Sequence, residues 1–108
     1  MTQKSRSAIL GRWRIVETDL WDSGYLDMLG PAHITFQANG RGEIAFGCVN
    51  VGLDCGYAGP TASFTFAGFD EMDEVSGDGS AELTNDDTIE GEICFHNGDE
   101  TQFKARRF

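Results

Sequence analysis

Apolar and polar residues alternate along most of this 108-residue chain. Ile44, Phe46 and Cys48 recur at every second position, and so do Ile93 and Phe95, with polar or small residues between them. A period of two is typical of β-strands that have one buried face and one face in water. The pattern predicts seven strands, near residues 11–17, 32–38, 41–49, 61–67, 74–84, 88–95 and 99–107.

Only residues 19–29 have the pattern of a helical turn, with Asp19 as the N-cap and Gly30-Pro31 as the stop signal. Residues 1–9 are expected to form a frayed leader in front of the first strand. The length of the chain suits one domain, so we predict a single β-domain over residues 1–108.

Two turns set the register of the predicted strands. Asn39-Gly40 and Asn97-Gly98 suit two-residue hairpin loops. A two-residue loop at 97–98 would place Glu92 opposite Phe103, on the wrong face of the sheet. Three-residue loops that end in Gly40 and Gly98, with φ positive at both glycines, remove this conflict. They place Ile34 opposite Ile44 and Glu90 opposite Lys104. A loop of the same odd length at Asn85-Asp86-Asp87 places Leu83 opposite Ile89, so three hairpins agree on one antiparallel meander.

A meander of seven or eight strands with one apolar face is expected to curl into a barrel or half-barrel, so the predicted fold class is all-β. The position of an eighth strand stays open: it lies within residues 49–57, or it arises from a break at Gly77-Asp78-Gly79. Gly77 and Gly79 are expected to mark a bulge or a sharp bend.

The first strand begins with Gly11-Arg12-Trp13, and Arg106 and Arg107 lie close to the last residue. This combination resembles the start and the terminal arginine of the lipocalin-like (calycin) barrels. The resemblance implies that Trp13 packs across the closed end of a barrel with an arginine over its ring, and it gives Gly11 a structural role. With seven strands Trp13 and Arg107 would lie at opposite ends, so this pairing requires the eighth. Over most of its length the chain also resembles small bacterial proteins of unknown function.

The net charge of −10 makes nucleic acids and anionic membranes poor candidate partners. The chain has no apolar stretch long enough for a secretion signal or a membrane span, so a cytoplasmic location is expected. Three cysteines without a Cys-x-x-Cys pair are read as reduced thiols. A zinc site formed by Cys48, Cys55, Cys94 and His96 is a weaker alternative, because its spacing matches no known pattern.

The acidic stretch at residues 68–83 lacks the ligand spacing of a calcium-binding loop. We read Asp70, Glu71 and Asp73 as carboxylates of a solvated turn, with weak cation binding as the alternative. His33, on the wet face of its strand, and His96, close to Asp99, are read as structural. We therefore expect no catalytic residues, no metal and no cofactor.

The longest predicted connections, residues 18–31 and 50–60, would emerge at the same end of the barrel, opposite the carboxylates of residues 70–73. Because long loops on a rigid scaffold commonly carry binding residues, we predict a binding site for a small apolar or aromatic ligand. Its candidate residues are Trp21, Tyr25 and Tyr57, with Arg107 as an interior charge. Two alternatives stay open. Residues 19–29 could plug the barrel with Trp21 and Leu26, or the protein could be an acidic interaction module or a homo-oligomer with a filled barrel.

Overall fold

The computed structural model describes residues 9–85 and 87–107, which form eight strands and one short helix. The elements are β1 (Gly11–Thr18), α1 (Ser23–Leu26), β2 (His33–Phe36), β3 (Arg41–Phe46), β4 (Val49–Ala58), β5 (Thr61–Asp70), β6 (Asp73–Asn85), β7 (Thr88–Phe95) and β8 (Glu100–Arg107). Within the described ranges no helix is both long enough and apolar enough to cross a membrane. Of the leader expected at residues 1–9, residues 1–8 lie outside these ranges, and Ile9 is fully buried.

The sheet is a closed antiparallel barrel in which each strand pairs with the next and β8 returns to β1. This confirms the all-β meander. The three facing pairs predicted from the turns are also present: Ile34 with Ile44, Leu83 with Ile89, and Glu90 with Lys104. Gly40 and Gly98 have φ of 84° and 113°, so the predicted positive φ at both loop ends is confirmed.

The eighth strand is β4, and this corrects two boundaries. The strand predicted at 41–49 ends at Phe46, and residues 50–60 do not form a long loop. A two-residue turn at 47–48, with Gly47 at φ 53°, leads directly into β4, where Val49, Val51 and Leu53 face the core. Tyr57 therefore lies in a strand, and only a tight turn at 59–60 separates β4 from β5.

An added strand reverses the direction of every strand after it, and this changes which turns share an end. The end that carries residues 19–32 also carries the turns at 47–48, 71–72 and 96–99; we call it the loop end. The opposite end carries the turns at 37–40 and 59–60 and the start of β1; we call it the closed end. The carboxylates of residues 70–73 were predicted opposite the long loop, and this was wrong because they lie at the loop end.

Inward-facing side chains fill the barrel. The rings of Phe66 and Phe95 are 5.2 Å apart between centroids, and those of Phe36 and Phe64 are 6.2 Å apart. Burial of this apolar surface is the main favourable term that holds the barrel together. The buried core is formed by the following residues: Ile9, Trp13, Ile15, Leu26, Ala32, Ile34, Phe36, Ile44, Phe46, Val49, Val51, Leu53, Ala62, Phe64, Phe66, Ala81, Ile89, Ile93, Phe95, Phe103 and Ala105.

Gly77 and Gly79 do not mark a bulge, and β6 is not broken there. The register between β5 and β6 continues unchanged through both residues. A Cβ atom added at Gly77 would clash with the backbone carbonyl of Cys94 and lie 2.6 Å from Cζ of Phe66, and one at Gly79 would clash with the backbone carbonyl of Glu92 and lie 2.8 Å from Cζ of Phe64. The two glycines are therefore needed because the backbone of β7 and phenylalanine rings from β5 both lie too close to the backbone of β6 for a side chain to fit.

Trp13 closes one end of the barrel, as the resemblance implied. Its side chain is fully buried, and Nε1 donates a hydrogen bond of 3.0 Å to the carbonyl of Ile9. Trp13 pairs across strands with Arg107, whose guanidinium carbon lies 3.8 Å from the centroid of the indole ring. Arg107 also donates a 2.9 Å hydrogen bond to the carbonyl of Leu10. An eight-stranded antiparallel barrel of this kind is consistent with a calycin-like fold.

Candidate functional site

The connection between β1 and β2 covers the loop end of the barrel. The ring of Trp21 lies 5.0 Å from that of Phe46 and 6.2 Å from that of Phe95, between centroids. Thr18 holds the start of the connection, since its Oγ1 accepts a hydrogen bond from Trp21 N (3.0 Å) and donates one to Trp21 O (2.8 Å). Leu26 is buried in the core and Trp21 is half-buried. Residues 19–29 thus plug the barrel, which was one of the two alternatives.

Tyr25 attaches α1 to the turn between β3 and β4. Its ring lies so close to Gly47 that a Cβ atom there would clash with it. Gly47 N donates a 2.9 Å hydrogen bond to Leu26 O, and the Tyr25 hydroxyl accepts one of 3.4 Å from Cys48 N. Burial, with a smaller contribution from Asp70, raises the pKa of the Tyr25 hydroxyl. Tyr25 is therefore a neutral structural contact that links the plug to the sheet.

The four predicted ligand-binding residues do not come together. Trp21 and Tyr25 are stacked at the loop end, with ring centroids 6.1 Å apart. Tyr57 lies near the closed end, where its hydroxyl donates a 2.7 Å hydrogen bond to Gln37 O and its ring packs edge-on against Phe36. Burial raises the pKa of the Tyr57 hydroxyl. Arg107 was predicted as an interior charge, and this was wrong because it lies exposed outside Trp13.

Exposed apolar side chains are concentrated at the loop end, and the sequence patterns did not identify them. Among the described residues, six large hydrophobic side chains are exposed, and all except Val16 lie at this end: Leu20, Met28, Leu29, Phe69 and Met72. Met72 is 93% exposed and Leu29 is 75% exposed. Their exposure could have been inferred from their place in loops and turns, because leucine and methionine residues there have no neighbouring strand to cover their side chains. Clusters of this kind commonly mark interaction sites.

The charges at the loop end are of one sign. The loop at 19–32 and the turns at 47–48, 71–72 and 96–99 contain no lysine or arginine. They contain four aspartates and one glutamate, and Asp70 and Asp73 flank the turn at 71–72. One aspartate is neutralised, since Asp27 forms a 2.9 Å salt bridge with Arg14. Most of the other described basic residues lie on β8 and at the closed end, so the charge of the barrel is uneven along its length.

His33 faces away from the core, as its parity predicted, but it is not on a wet face. The connection that ends in Pro31 covers it, and its side chain is only 11% exposed. Nε2 lies 2.8 Å from Oε2 of Glu43, and Nδ1 lies 3.2 Å from Pro31 O and 3.4 Å from a guanidinium nitrogen of Arg12. The ring therefore ties the connection to β1 and β3.

The remaining polar candidates are dispersed. His96 is exposed at the loop end, with Nδ1 3.1 Å from Ser76 Oγ and Nε2 3.8 Å from Asp78 Oδ2. Its nearest carboxylate partner is thus Asp78 rather than Asp99. Burial raises the pKa of each of the three thiols, of which Cys55 faces the inside of β4. Within residues 9–85 and 87–107, no group of histidine, cysteine or acidic side chains has the arrangement of a metal site.

Comparison of the chain with models of protein families, with curated proteins and with solved structures finds no match. The candidate site is therefore defined by its own geometry. It combines a half-buried aromatic plug, a set of exposed apolar side chains around that plug, and an excess of carboxylates in the surrounding turns.

Proposed function

We propose that this protein is a non-catalytic binding module that attaches its loop end to a basic and partly apolar surface of another protein. The observation that carries the proposal is the concentration of exposed apolar side chains at the end whose loops contain carboxylates and no basic residues. Exposure of the Leu29 and Met72 side chains to water is unfavourable, and because side chains already fill the barrel, they cannot be buried in its interior. A partner that covers them would remove this cost.

The arrangement matches the anatomy of protein interfaces, in which apolar side chains are surrounded by polar ones. Met72 is flanked in sequence by Glu71 and Asp73, and Asp70 precedes them. Carboxylates at the rim of an interface attract lysine and arginine side chains and speed up association at low salt. The partner surface that fits therefore combines apolar side chains with lysine or arginine.

Two other functions are tested by the same measurements. The first is binding of a small apolar or aromatic ligand, for which the stacked pair of Trp21 and Tyr25 is the relevant feature. Because the interior is filled by side chains, such a ligand would have to bind at the surface of the plug. The second is association of two copies through their loop ends, which would bury the same apolar side chains.

We further propose kinship with the lipocalin-like barrels and a cytoplasmic location. The kinship is supported by the Gly11-Arg12-Trp13 start and by the guanidinium of Arg107 over the ring of Trp13. The location is supported by three free thiols, which suit a reducing compartment.

The experiment uses a synthetic amphipathic peptide of leucine and lysine as the probe and a matched peptide of leucine and glutamate as its control. We expect saturable binding of the lysine peptide only, and weaker binding as salt is added. The double variant Leu29→Ser/Met72→Ser should lose about tenfold or more in affinity. Val16→Ser is the matched control, since it removes an exposed apolar side chain from strand β1 rather than from the loops and turns of the loop end and should leave the affinity unchanged.

Two results would overturn the proposal. Equal binding of the lysine peptide by the double variant would show that the loop end does not bind it. Native mass spectrometry that shows a carried-over small molecule or a dimer, with Leu29 and Met72 protected in that state, would favour one of the two other functions.

A further inference from the structure

Phe69 and Glu74 form an exposed pair on the outer face of the barrel, next to the turn at 71–72. Phe69 on β5 pairs directly with Glu74 on β6. Phe69 is 51% exposed although its side chain is aromatic, and Glu74 is also exposed. Directly opposite residues on antiparallel strands lie on the same face of the sheet, with Cβ atoms about 4.5–5.5 Å apart. The ring and the carboxylate can therefore contact one and the same group above the sheet.

Each of these two side chains lacks a partner within residues 9–85 and 87–107. There the Glu74 carboxylate forms no salt bridge and no side-chain hydrogen bond, and the ring of Phe69 contacts no other aromatic ring and no cation. The face of an aromatic ring carries partial negative charge, so the ring and the carboxylate do not attract each other. Both attract a cation, and a cation between them would interact favourably with each.

A groove beside the pair leaves room for a long side chain. It has a volume of about 450 Å³, lies on β5 and β6, and is lined by Phe69, Glu74 and their neighbours in the two strands. The outward-facing residues of the next row towards the closed end, Ala67 and Ser76, are small and pair with each other. Because these residues are small, an aliphatic stem can lie across them with its end group at the ring and the carboxylate.

The charges around this groove favour a cation. The turn at 71–72 and the two aspartates that flank it add carboxylates on the side of the loop end. On the β7 side lies His96, whose ring is directed to Ser76 and Asp78. The arginine that lines the neighbouring groove over β2, β3 and β4 is Arg12, and it belongs to β1, four strands from β5 in either direction around the barrel. A cation for Phe69 and Glu74 would therefore come from a partner.

The combination of a ring and a carboxylate distinguishes between the two basic side chains. The guanidinium of arginine is planar and weakly hydrated, so it can lie flat on an aromatic ring while the N–H groups at its edge donate to a carboxylate. The ammonium of lysine is a compact and strongly hydrated charge, and it gives up more hydration when it lies on a ring. The pair of Phe69 and Glu74 therefore fits arginine better than lysine.

We propose that Phe69 and Glu74 form the docking site of an arginine side chain of the partner protein. The inference rests on the proposed function and specifies which basic residue the partner contributes beside Met72. The guanidinium stacks on the ring of Phe69 and donates hydrogen bonds to the carboxylate of Glu74. Its aliphatic stem lies in the groove over Ala67 and Ser76.

The experiment compares the affinity of the full chain for the leucine–lysine peptide and for the same peptide with every lysine replaced by arginine. Phe69→Leu keeps an apolar side chain and removes the ring, and Glu74→Gln removes the charge and keeps the shape. Glu82→Gln is the control for Glu74→Gln because Glu82 is an exposed carboxylate farther along the same outer face of β6. The midpoint of thermal unfolding verifies that each variant is folded. Nuclear magnetic resonance of the bound arginine peptide tests the stacking, since a ring shifts the resonances of the protons above its face upfield.

We expect the unaltered chain to bind the arginine peptide about tenfold more tightly than the lysine peptide, with the δ-methylene protons of an arginine shifted upfield. Phe69→Leu should abolish this preference and the upfield shift while it still binds the lysine peptide. Glu74→Gln should weaken binding of the arginine peptide by about three- to fivefold, and Glu82→Gln by less than about twofold.

Two results would overturn this inference and leave the proposed function standing, provided that Leu29→Ser/Met72→Ser loses binding of the lysine peptide. The first is equal affinity of the unaltered chain for the two peptides. The second is a preference for arginine that stays the same in Phe69→Leu, which would show that the preference does not depend on the ring. Absence of binding of both peptides to the unaltered chain would overturn the inference and the proposed function together.

Discussion

Replacement of Trp13 by alanine tests the closed end of the barrel most directly. Trp13 is the largest of the fully buried side chains, and its removal should destabilise the fold by about 3–5 kcal/mol. Loss of the hydrogen bond to Ile9 O and of the contact with Arg107 each contribute about 1 kcal/mol to such a change. Since domains are commonly stable by about 5–15 kcal/mol, Trp13→Ala should unfold at a much lower urea concentration.

Two milder variants separate the contributions. Trp13→Phe keeps most of the buried ring and loses the Nε1 donor, and Arg107→Met keeps the apolar stem and loses the guanidinium. We expect each to destabilise by about 1–2 kcal/mol, and the double variant to show a coupling of about 0.5–1 kcal/mol. Urea titrations followed by far-ultraviolet circular dichroism measure all of these changes without using tryptophan as the reporter. A loss below about 1 kcal/mol for Trp13→Ala would refute the role of the indole ring in closing the barrel.

Three further outcomes are expected in urea titrations. Gly98→Val should lose about 1–3 kcal/mol because φ is 113° there, and a loss near zero would contradict the three-residue loop. Gly79→Ala should lose about 1–3 kcal/mol because its Cβ would meet the backbone carbonyl of Glu92 and the ring of Phe64, whereas Gly56→Ala, which has open space, should change stability by less than about 1 kcal/mol; equal losses would refute this explanation. Burial raises the pKa of Cys55 and Tyr57, so the stability that their neutral forms provide is present below about pH 9 and is lost at higher pH; an unfolding midpoint that stays constant in alkali would contradict this.

The hairpin registers could be predicted because two independent local signals agree on them. The period of two assigns one face of each strand to the core, and the loop length must then keep the facing residues in phase. A loop that ends in Gly98 satisfies both conditions when Glu90 faces Lys104, and the sheet has this register. Register was thus predictable without any knowledge of how the barrel closes.

Residues 50–60 were predicted as a connection, with an eighth strand within 49–57 left as one of two possibilities, although Val49, Val51 and Leu53 alternate as in a strand. Gly52, Gly56 and the following Gly59-Pro60 give residues 49–60 the composition of a connection. In the structure the pairing with β3 and β5 offsets the poor strand propensity of these glycines. Local propensity does not include such long-range pairing, so it could not decide between a loop and a strand here.

The undecided position of the eighth strand limited what could be predicted about the site. Trp21 and Tyr25 were placed correctly at the loop end, because the first connection precedes the missing strand. The turn that carries Met72 follows the missing strand and was therefore assigned to the wrong end. The exposure of Phe69 could not be predicted at all, since it depends on the small size of Asn50 and of other cross-strand neighbours, which only the pairing of β4 with β5 defines.

The closure of the barrel through β1 and β8 has a consequence for how the chain folds. Seven of the eight strand pairs join neighbours in sequence, and such hairpins form within microseconds. The eighth pair brings together Trp13 and Arg107, about 90 residues apart, so its loop-closure entropy is offset only late in folding. Until β8 has been synthesised, the growing chain is an open sheet with β1 as a free edge and with the indole ring of Trp13 not yet covered by arginine. The slowest step of folding is therefore expected to be the return of β8 to β1.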